Sequence, residues 1–299
     1  MPKLHADEVD SDEDLVRRLL AAQFPQWAHL PVAQFQHAGT DNAIYRVGDE
    51  LSARLPRLAK GEGQIEKERE WLPRLAPHLP VTVPVPLERG EPGEGYPLQW
   101  GVYPWLRGRN ASLETVASGA SFATELAAFM RGLQAIDAAG APTPNWKNFG
   151  RGAPLATRDD GTRTAIEQAA DMINAPACTA AWDEAVHAPA HAGPPRLIHG
   201  DLYFGNMLAT GGRLSAVIDW GGFGAGDPAC DLMVAWTVLD APSRARLRAE
   251  LDVDDATWTR GRGWALSVSL IQLPYYRDTN PGIIRTGLRT IAEVLADDA

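Results

Sequence analysis

Two cysteines, Cys178 and Cys230, are the only ones in 299 residues, so no disulfide framework staples the fold. No stretch reaches the roughly 18 consecutive apolar residues of a membrane-crossing helix, and no membrane partner is expected. Basic residues are in deficit: 28 Lys+Arg face 38 Asp+Glu, a formal net charge of −10. That balance argues against nucleic acid as the main partner, because neutralising phosphates needs clustered Lys and Arg. The N-terminal MPKLHADEVDSDEDL is acidic where a secretory signal is basic and then apolar, so a cytoplasmic location is expected. His and Cys do not recur with zinc-site spacing. A Gly-x-Gly-x-x-Gly loop and an Ala-Pro-Glu segment are also missing, which disfavours protein-kinase activity. What is there is an ordinary globular balance, 45% hydrophobic and 22% charged. It is enough to fill a core in one large domain or two modest ones.

Patterning along the chain changes character once. Leu15, Leu19 and Leu20 at helical spacing predict a helix from about Asp12 to Gln23. Val32 to Leu55 reads as strands broken by turns, one of them at Gly48-Asp49. QIEKEREWLPRLAPHL is helical, VTVPVPLERG extended and Pro-broken, and YPLQWGVYPWLRG two strand pieces. Beyond Pro104, Phe122, Leu126, Phe129, Leu133 and Ile136 mark a strong amphipathic helix, and a second helical region is expected near Thr164–Ile173. RLIHGDLYFGNML and RLSAVIDW are short apolar runs around polar residues, and from Cys230 the chain is mostly helical. The expected layout is α+β: a β-rich lobe, a crossover near residues 100–110, and a helical lobe.

The sharpest chemical signal is His199-Gly200-Asp201 with Asn206 five residues after the Asp. Average residue frequencies produce that pattern in a chain this long about once per thousand. Thirteen residues on, Asp219 ends the apolar run Leu214–Ile218, where a carboxylate stands at the edge of the core. Such a set suits phosphoryl transfer: one carboxylate accepts the hydroxyl proton, while an amide oxygen and a second carboxylate hold Mg²⁺ against nucleotide phosphates. The competing readings are an Asx turn or cap for Asp201 and a turn residue for Asn206. For Asp219 the competitor is a helix cap, which Gly221-Gly222 just after it disfavours.

IHGDLYFGNML, AVIDWGGFGAGDPACDL and the upstream GTDNAIYRV together resemble the aminoglycoside phosphotransferase family, part of the kinase-like fold. The likeness runs from about Gln34 to Leu232 and weakens through the C-terminal helices. It implies a bilobal fold, with residues 1–103 as a nucleotide-binding lobe and residues 104–299 carrying the catalytic loop, metal and acceptor. By that likeness Asp201 is the catalytic base and Asn206 with Asp219 hold Mg²⁺. His199 buttresses the loop, and Asp231 hydrogen-bonds its backbone. In the small lobe Gly39, Thr40 and Asn42 belong to a nucleotide-positioning loop. Arg54 stands where such kinases usually place a phosphate-binding Lys, with Lys60 and Lys67 as substitutes, and Glu68 is the helical partner of that basic residue. Trp100 and Tyr103 lie in the segment matching the lobe hinge.

The implied activity is transfer of the γ-phosphoryl of ATP or GTP to a hydroxyl of a small molecule. The acidic balance and the likeness favour a cationic antibiotic, an aminoglycoside or a basic peptide. In LPYYRDTNP, Tyr275 and Asp278 offer an aromatic face and a carboxylate to an amine, and the region from Glu167 to Glu184 offers further carboxylates. The alternatives are a metabolic kinase of an amino alcohol or sugar, a macrolide kinase, and a nucleotide-binding pseudokinase without turnover.

Overall fold

The computed structural model describes residues 8–35, 41–61, 63–112, 114–116 and 118–297. The chain divides into two units, Met1–His78 with Thr82–Arg107 and Leu79–Val81 with Gly108–Ala299.

In the first unit α1 (Glu13–Gln23) begins where the Asp12 side chain accepts the Leu15 backbone N–H at 2.7 Å, and Glu13 and Asp14 suit the positive end of the helix dipole. Its apolar side, Leu15, Val16, Leu19 and Leu20, is buried. The strands β1 (Val32–Gln34), β2 (Asn42–Val47), β3 (Leu51–Pro56), β4 (Glu88–Gly90) and β5 (Trp100–Pro104) form one antiparallel sheet in the order β1-β2-β3-β5-β4. Between β3 and β4 the chain forms α2 (Gln64–Leu75). Alternation in β2 sends Ala43, Tyr45 and Val47 into a core shared with α1, Leu55, Trp100 and Val102. The polar tips of buried aromatics are satisfied: Tyr45 bonds Ser11 at 2.9 Å and Tyr96 donates to the Pro56 carbonyl at 2.6 Å.

In the second unit β6 (Arg109–Asn110) leads to the long α3 (Gly119–Ala135). The helical region expected near Thr164–Ile173 overlaps α4 (Asp159–Gln168), which starts and ends earlier, and a further helix that was not expected, α5 (Ala175–His187), follows it. Then come β7 (Arg196–Ile198), β8 (Met207–Thr210), β9 (Arg213–Val217) and β10 (Gly224–Gly226). The helices α6 (Val234–Thr237), α7 (Ala241–Leu251), α8 (Asp255–Tyr276) and α9 (Pro281–Ala296) complete the unit. β7 pairs only with β10, while β6, β8 and β9 form a second small sheet. No helix among the described residues is long and apolar enough to cross a membrane.

Trp100 tests the first-unit core. Its ring is fully buried, meets Phe24 edge-on at 5.4 Å and donates its indole N–H to the Glu91 carbonyl. Trp100→Ala should cost about 3–5 kcal/mol, read from the urea midpoint by circular dichroism. An unchanged midpoint would remove Trp100 from the core.

Candidate active site

Two connections carry the chemistry, one from β7 to β8 (residues 199–206) and one from β9 to β10 (residues 218–223). Because β7 pairs with β10 and β8 with β9, these connections must run side by side. Ile218 donates its backbone N–H to the Asn206 carbonyl at 2.8 Å, and Met207 is opposite Val217. Asn206 and Asp219 therefore stand at the same end of the β8–β9 ladder. At Gly200, φ is +81° and an added Cβ would strike the Gly222 carbonyl oxygen, so glycine is required where the connections touch.

Asp231, wholly buried in the 3-10 segment after β10, ties the first connection down. Its two carboxylate oxygens accept the backbone N–H groups of His199 and Gly200 at 2.8 and 2.7 Å. The His199 ring, also fully buried, lies 3.1 Å by Nε2 from the Ile218 carbonyl and 3.3 Å by Nδ1 from the Asp201 backbone N–H. A carbonyl only accepts and an N–H only donates, so the proton sits on Nε2 and Nδ1 accepts. Trp220 meets the same ring edge-on at 4.8 Å.

The Asp201 carboxylate, whose side chain is 33% exposed, is held from two directions. Arg151 donates to Oδ1 at 3.1 Å, and Asn206 Nδ2 donates to Oδ2 at 3.0 Å and to the Asp201 carbonyl at 3.0 Å. Spending the amide nitrogen on Asp201 turns Asn206 Oδ1 away as an available acceptor. Asp219 adopts φ 61° and ψ 77°, a left-handed conformation that is costly for a side-chain-bearing residue and concentrates at functional sites. It also caps the 3-10 turn Trp220–Gly222 through the Gly221 N–H, so the cap role disfavoured at the sequence level is present. Arg151 was not among the residues singled out from the sequence.

In the first unit, Gly39 and Thr40 lie outside the described residues. Asn42 opens β2, opposite Pro56 of β3. The expected ion pair between Arg54 and Glu68 is not formed among the described residues. Buried Glu68 accepts from the Tyr103 hydroxyl and from the Gln64 amide, each at 2.7 Å, and Arg54 lies over the Tyr103 ring at 4.2 Å. Arg54 Nε is buried without a hydrogen-bond partner among the described residues. Tyr103 thus stands between the two charged groups. Trp100, expected at the hinge, is fully buried and stands opposite Gly90 of β4.

The family model described as phosphotransferase enzyme family matches residues 32–264. The chain belongs to that family. Its fold is similar to the GDP and kanamycin complex of APH(2")-IIia (TM-score 0.74, 21% identity, 95% of this chain and 99% of that one). It is also similar to the streptomycin-ATP-APH(2")-IIa ternary complex (TM-score 0.60, 15% identity, 96% and 97%) and to apo macrolide 2'-phosphotransferase MphH from Brachybacterium faecium (TM-score 0.59, 20% identity, 94% and 97%). No curated protein matches the chain. The kinase-like architecture, with a small antiparallel sheet unit and a helical unit, is thereby shown.

For this phosphotransferase the donor set is hard oxygen: one amide oxygen on Asn206 and one carboxylate on Asp219. Among the described residues no group of three or more His, Cys, Asp or Glu side chains could cage a metal. Few protein ligands suit Mg²⁺, which keeps waters and phosphate oxygens in its shell, so these residues fit the ion.

The acceptor candidates lie at the far end of α8. Tyr275 is 59% exposed and meets Tyr276 edge-on at 4.7 Å, and Asp278 is exposed just beyond. Of the carboxylates from Glu167 to Glu184, Asp171 pairs with Arg277, Asp183 with Arg163 and Glu184 with Arg262. Among the described residues Glu167 and Asp278 form no ion pair.

Asp231 links the site to stability. Burial pushes its carboxyl up from 3.8 to about 7, against the two backbone N–H bonds and Arg151, which favour the charged form. The native state therefore holds a proton that the unfolded state releases. This contribution is complete below about pH 4 and is lost as pH rises through about 7. Asp231→Asn should make the fall in urea midpoint between those values shallower. Losing one of two acceptors should also cost about 1–3 kcal/mol throughout. Parallel pH profiles for the two proteins would contradict the assignment.

Proposed function

We propose that the chain transfers the terminal phosphoryl group of a nucleotide to a hydroxyl of a small molecule. The observation that carries this reading is the Asp201 carboxylate, fixed by Asn206 beside Asp219 in a member of the phosphotransferase family. Asp201 orients the acceptor hydroxyl and takes its proton as the new P–O bond forms and the bond to the leaving nucleotide breaks. Asn206 Oδ1 and the Asp219 carboxylate would hold Mg²⁺, which when bound offsets charge on the phosphate oxygens. Arg54 is the proposed phosphate-binding cation of the first unit, with Gly39, Thr40 and Asn42 lending backbone donors. Similar folds are known in complex with GDP or ATP, and GTP or ATP would suit these residues as donor.

Asp201→Asn should lower kcat to the percent level with nucleotide affinity retained, because the amide keeps the shape and loses the basic oxygen. A variant keeping more than about a tenth of kcat would remove Asp201 from the base role, since positioned bases contribute about 10²–10⁴. Asp219→Ala should weaken Mg-nucleotide binding more than Asn206→Ala, because a full charge is lost. Equal affinities for wild type and Asp219→Ala by calorimetry would overturn the metal assignment.

For the acceptor we propose a polyhydroxylated cation such as an aminoglycoside. The supports are the net charge of −10, exposed Asp278 without an ion pair among the described residues, and the kanamycin and streptomycin complexes of similar folds. A macrolide is the second reading. It is favoured by the pairing of Asp171, Asp183 and Glu184 with arginines and by the likeness to a macrolide phosphotransferase. A panel of aminoglycosides, basic peptides, macrolides, choline and sugars at low and high salt separates them. A cationic acceptor should show a KM that rises with ionic strength. Turnover confined to macrolides or sugars, indifferent to salt, would reject the cation and leave the transfer reaction standing.

A further inference from the structure

The residue beside Asp201 that no sequence motif announced is Arg151, and its surroundings are unusual. Its backbone is pinned on both sides. Asn145 and Asn148 cap each other, and Arg151 donates its N–H to the Asn148 carbonyl at 3.0 Å. Gly152, at φ +77°, packs its backbone on Gly226 and accepts the Asp227 N–H at 2.8 Å. The side chain is only 9% exposed. Yet among the described residues Nη2 is the one guanidinium nitrogen with a hydrogen-bond partner, Asp201 Oδ1, while Nε and Nη1 are buried with none. An arginine kept only for packing would saturate its donors, because an unmet buried N–H costs free energy.

A second cation lies close by. Arg158 stacks on the Trp264 ring at 4.9 Å, and Arg151 approaches the same ring at 5.9 Å. Arg158 donates to the Ser267 hydroxyl at 2.9 Å and forms no ion pair among the described residues. Asp201 is thus the ion-pair partner of this buried cationic patch. With Asn206 holding Oδ2, rotation of the carboxylate is blocked at both oxygens.

We propose that Arg151 is the positioning residue of the transfer step, acting through Asp201 by fixing the orientation of its carboxylate. The proposal rests on Asp201 being the base. Arg151 touches neither nucleotide nor acceptor in this role, so its removal lowers kcat and spares KM.

The experiment compares Arg151→Met, Arg151→Lys, Asp201→Asn and the double variant Arg151→Met/Asp201→Asn, with Mg-ATP or Mg-GTP and whichever acceptor the panel identifies. Rates are expressed per folded molecule, as counted by calorimetric titration with Mg-nucleotide. Arg151→Met should lose about 100-fold in kcat, the penalty of a misplaced reacting group, with both KM values nearly unchanged. Arg151→Lys should recover about tenfold of that loss, since it returns the charge without the planar fork. In the Asp201→Asn background, Arg151→Met should lower the residual rate by less than about threefold, because the residue through which it acts is already gone. A merely structural arginine would give equal losses in both backgrounds, or a loss of folded protein with kcat per folded molecule intact; either overturns the proposal. Should Arg151→Met fail to fold, Arg151→Gln carries the same comparison. If Asp201→Asn itself stays active, the base assignment fails. If Asp201→Asn is dead and Arg151→Met stays at the wild-type rate, only the positioning role fails.

Discussion

Everything in the site hangs on one buried carboxylate taking two consecutive backbone N–H groups. When Asp231 accepts from both His199 and Gly200, the chain leaving β7 must bend so that both donors converge. That bend requires the left-handed conformation found at Gly200. The same bend delivers the His199 ring to the neighbouring connection, where it bonds the Ile218 carbonyl on one side and the Asp201 backbone on the other. A single tautomer satisfies both contacts, so the ring acts as a rigid spacer between the loop that carries Asp201 and the loop that carries Asp219. The position of the proposed base is thereby coupled to the position of the proposed metal ligand through hydrogen bonds rather than through apolar packing alone.

Such an arrangement gives up stability for geometry. Asp231 resists ionisation because it is buried, Asp219 holds a strained backbone, and Arg151 leaves two donors unmet. All three lie in or against the short connections between the paired strands, while β7, β10, β8 and β9 themselves are regular apart from one register shift near Leu208. The ladders and the surrounding helices bear the cost, which is why a loop this irregular persists. Asp227 illustrates the support: buried Arg260 grips it with two donors, and it caps the 3-10 segment on which Asp231 sits.

Elements with strong local signals were legible in the sequence. The leucine spacing and acidic first turn of α1, and the alternation of β2, are local properties that packing only completes. His199-Gly200-Asp201 with Asn206 was legible because its chemistry lies within eight residues. What was hidden is non-local. Arg151 reaches Asp201 across fifty residues of sequence, and no spacing rule joins a Pro/Gly/Asn-rich loop to a motif that far away. The family likeness implied a basic partner for Glu68, whereas in the fold the Tyr103 hydroxyl intervenes. α5 went unread because its alanine-rich sequence carries weak periodicity, although Asn174 caps its start. Trp100 was tied to the nucleotide only by the hinge match, because the sequence does not say which face of a strand an aromatic takes.

The overall acidity is an incomplete guide to the acceptor for a related reason. Charge counted along a sequence takes no account of pairing, and three of the helical unit's carboxylates already carry an arginine each. Two of these pairs are nevertheless shallow, with both partners exposed. Arg277 and Asp171 are 38% and 65% exposed, and exposed ion pairs contribute little because water and salt screen them. The cationic acceptor proposed above would displace Arg277 at small cost and draw on Asp171 together with Asp278 and Glu167, which form no ion pair among the described residues. A neutral ligand gains nothing by breaking the pair. Discrimination at this end of α8 would then come from the number and spacing of cationic groups on the ligand, with the long-range attraction of the acidic surface adding encounter rate rather than selectivity.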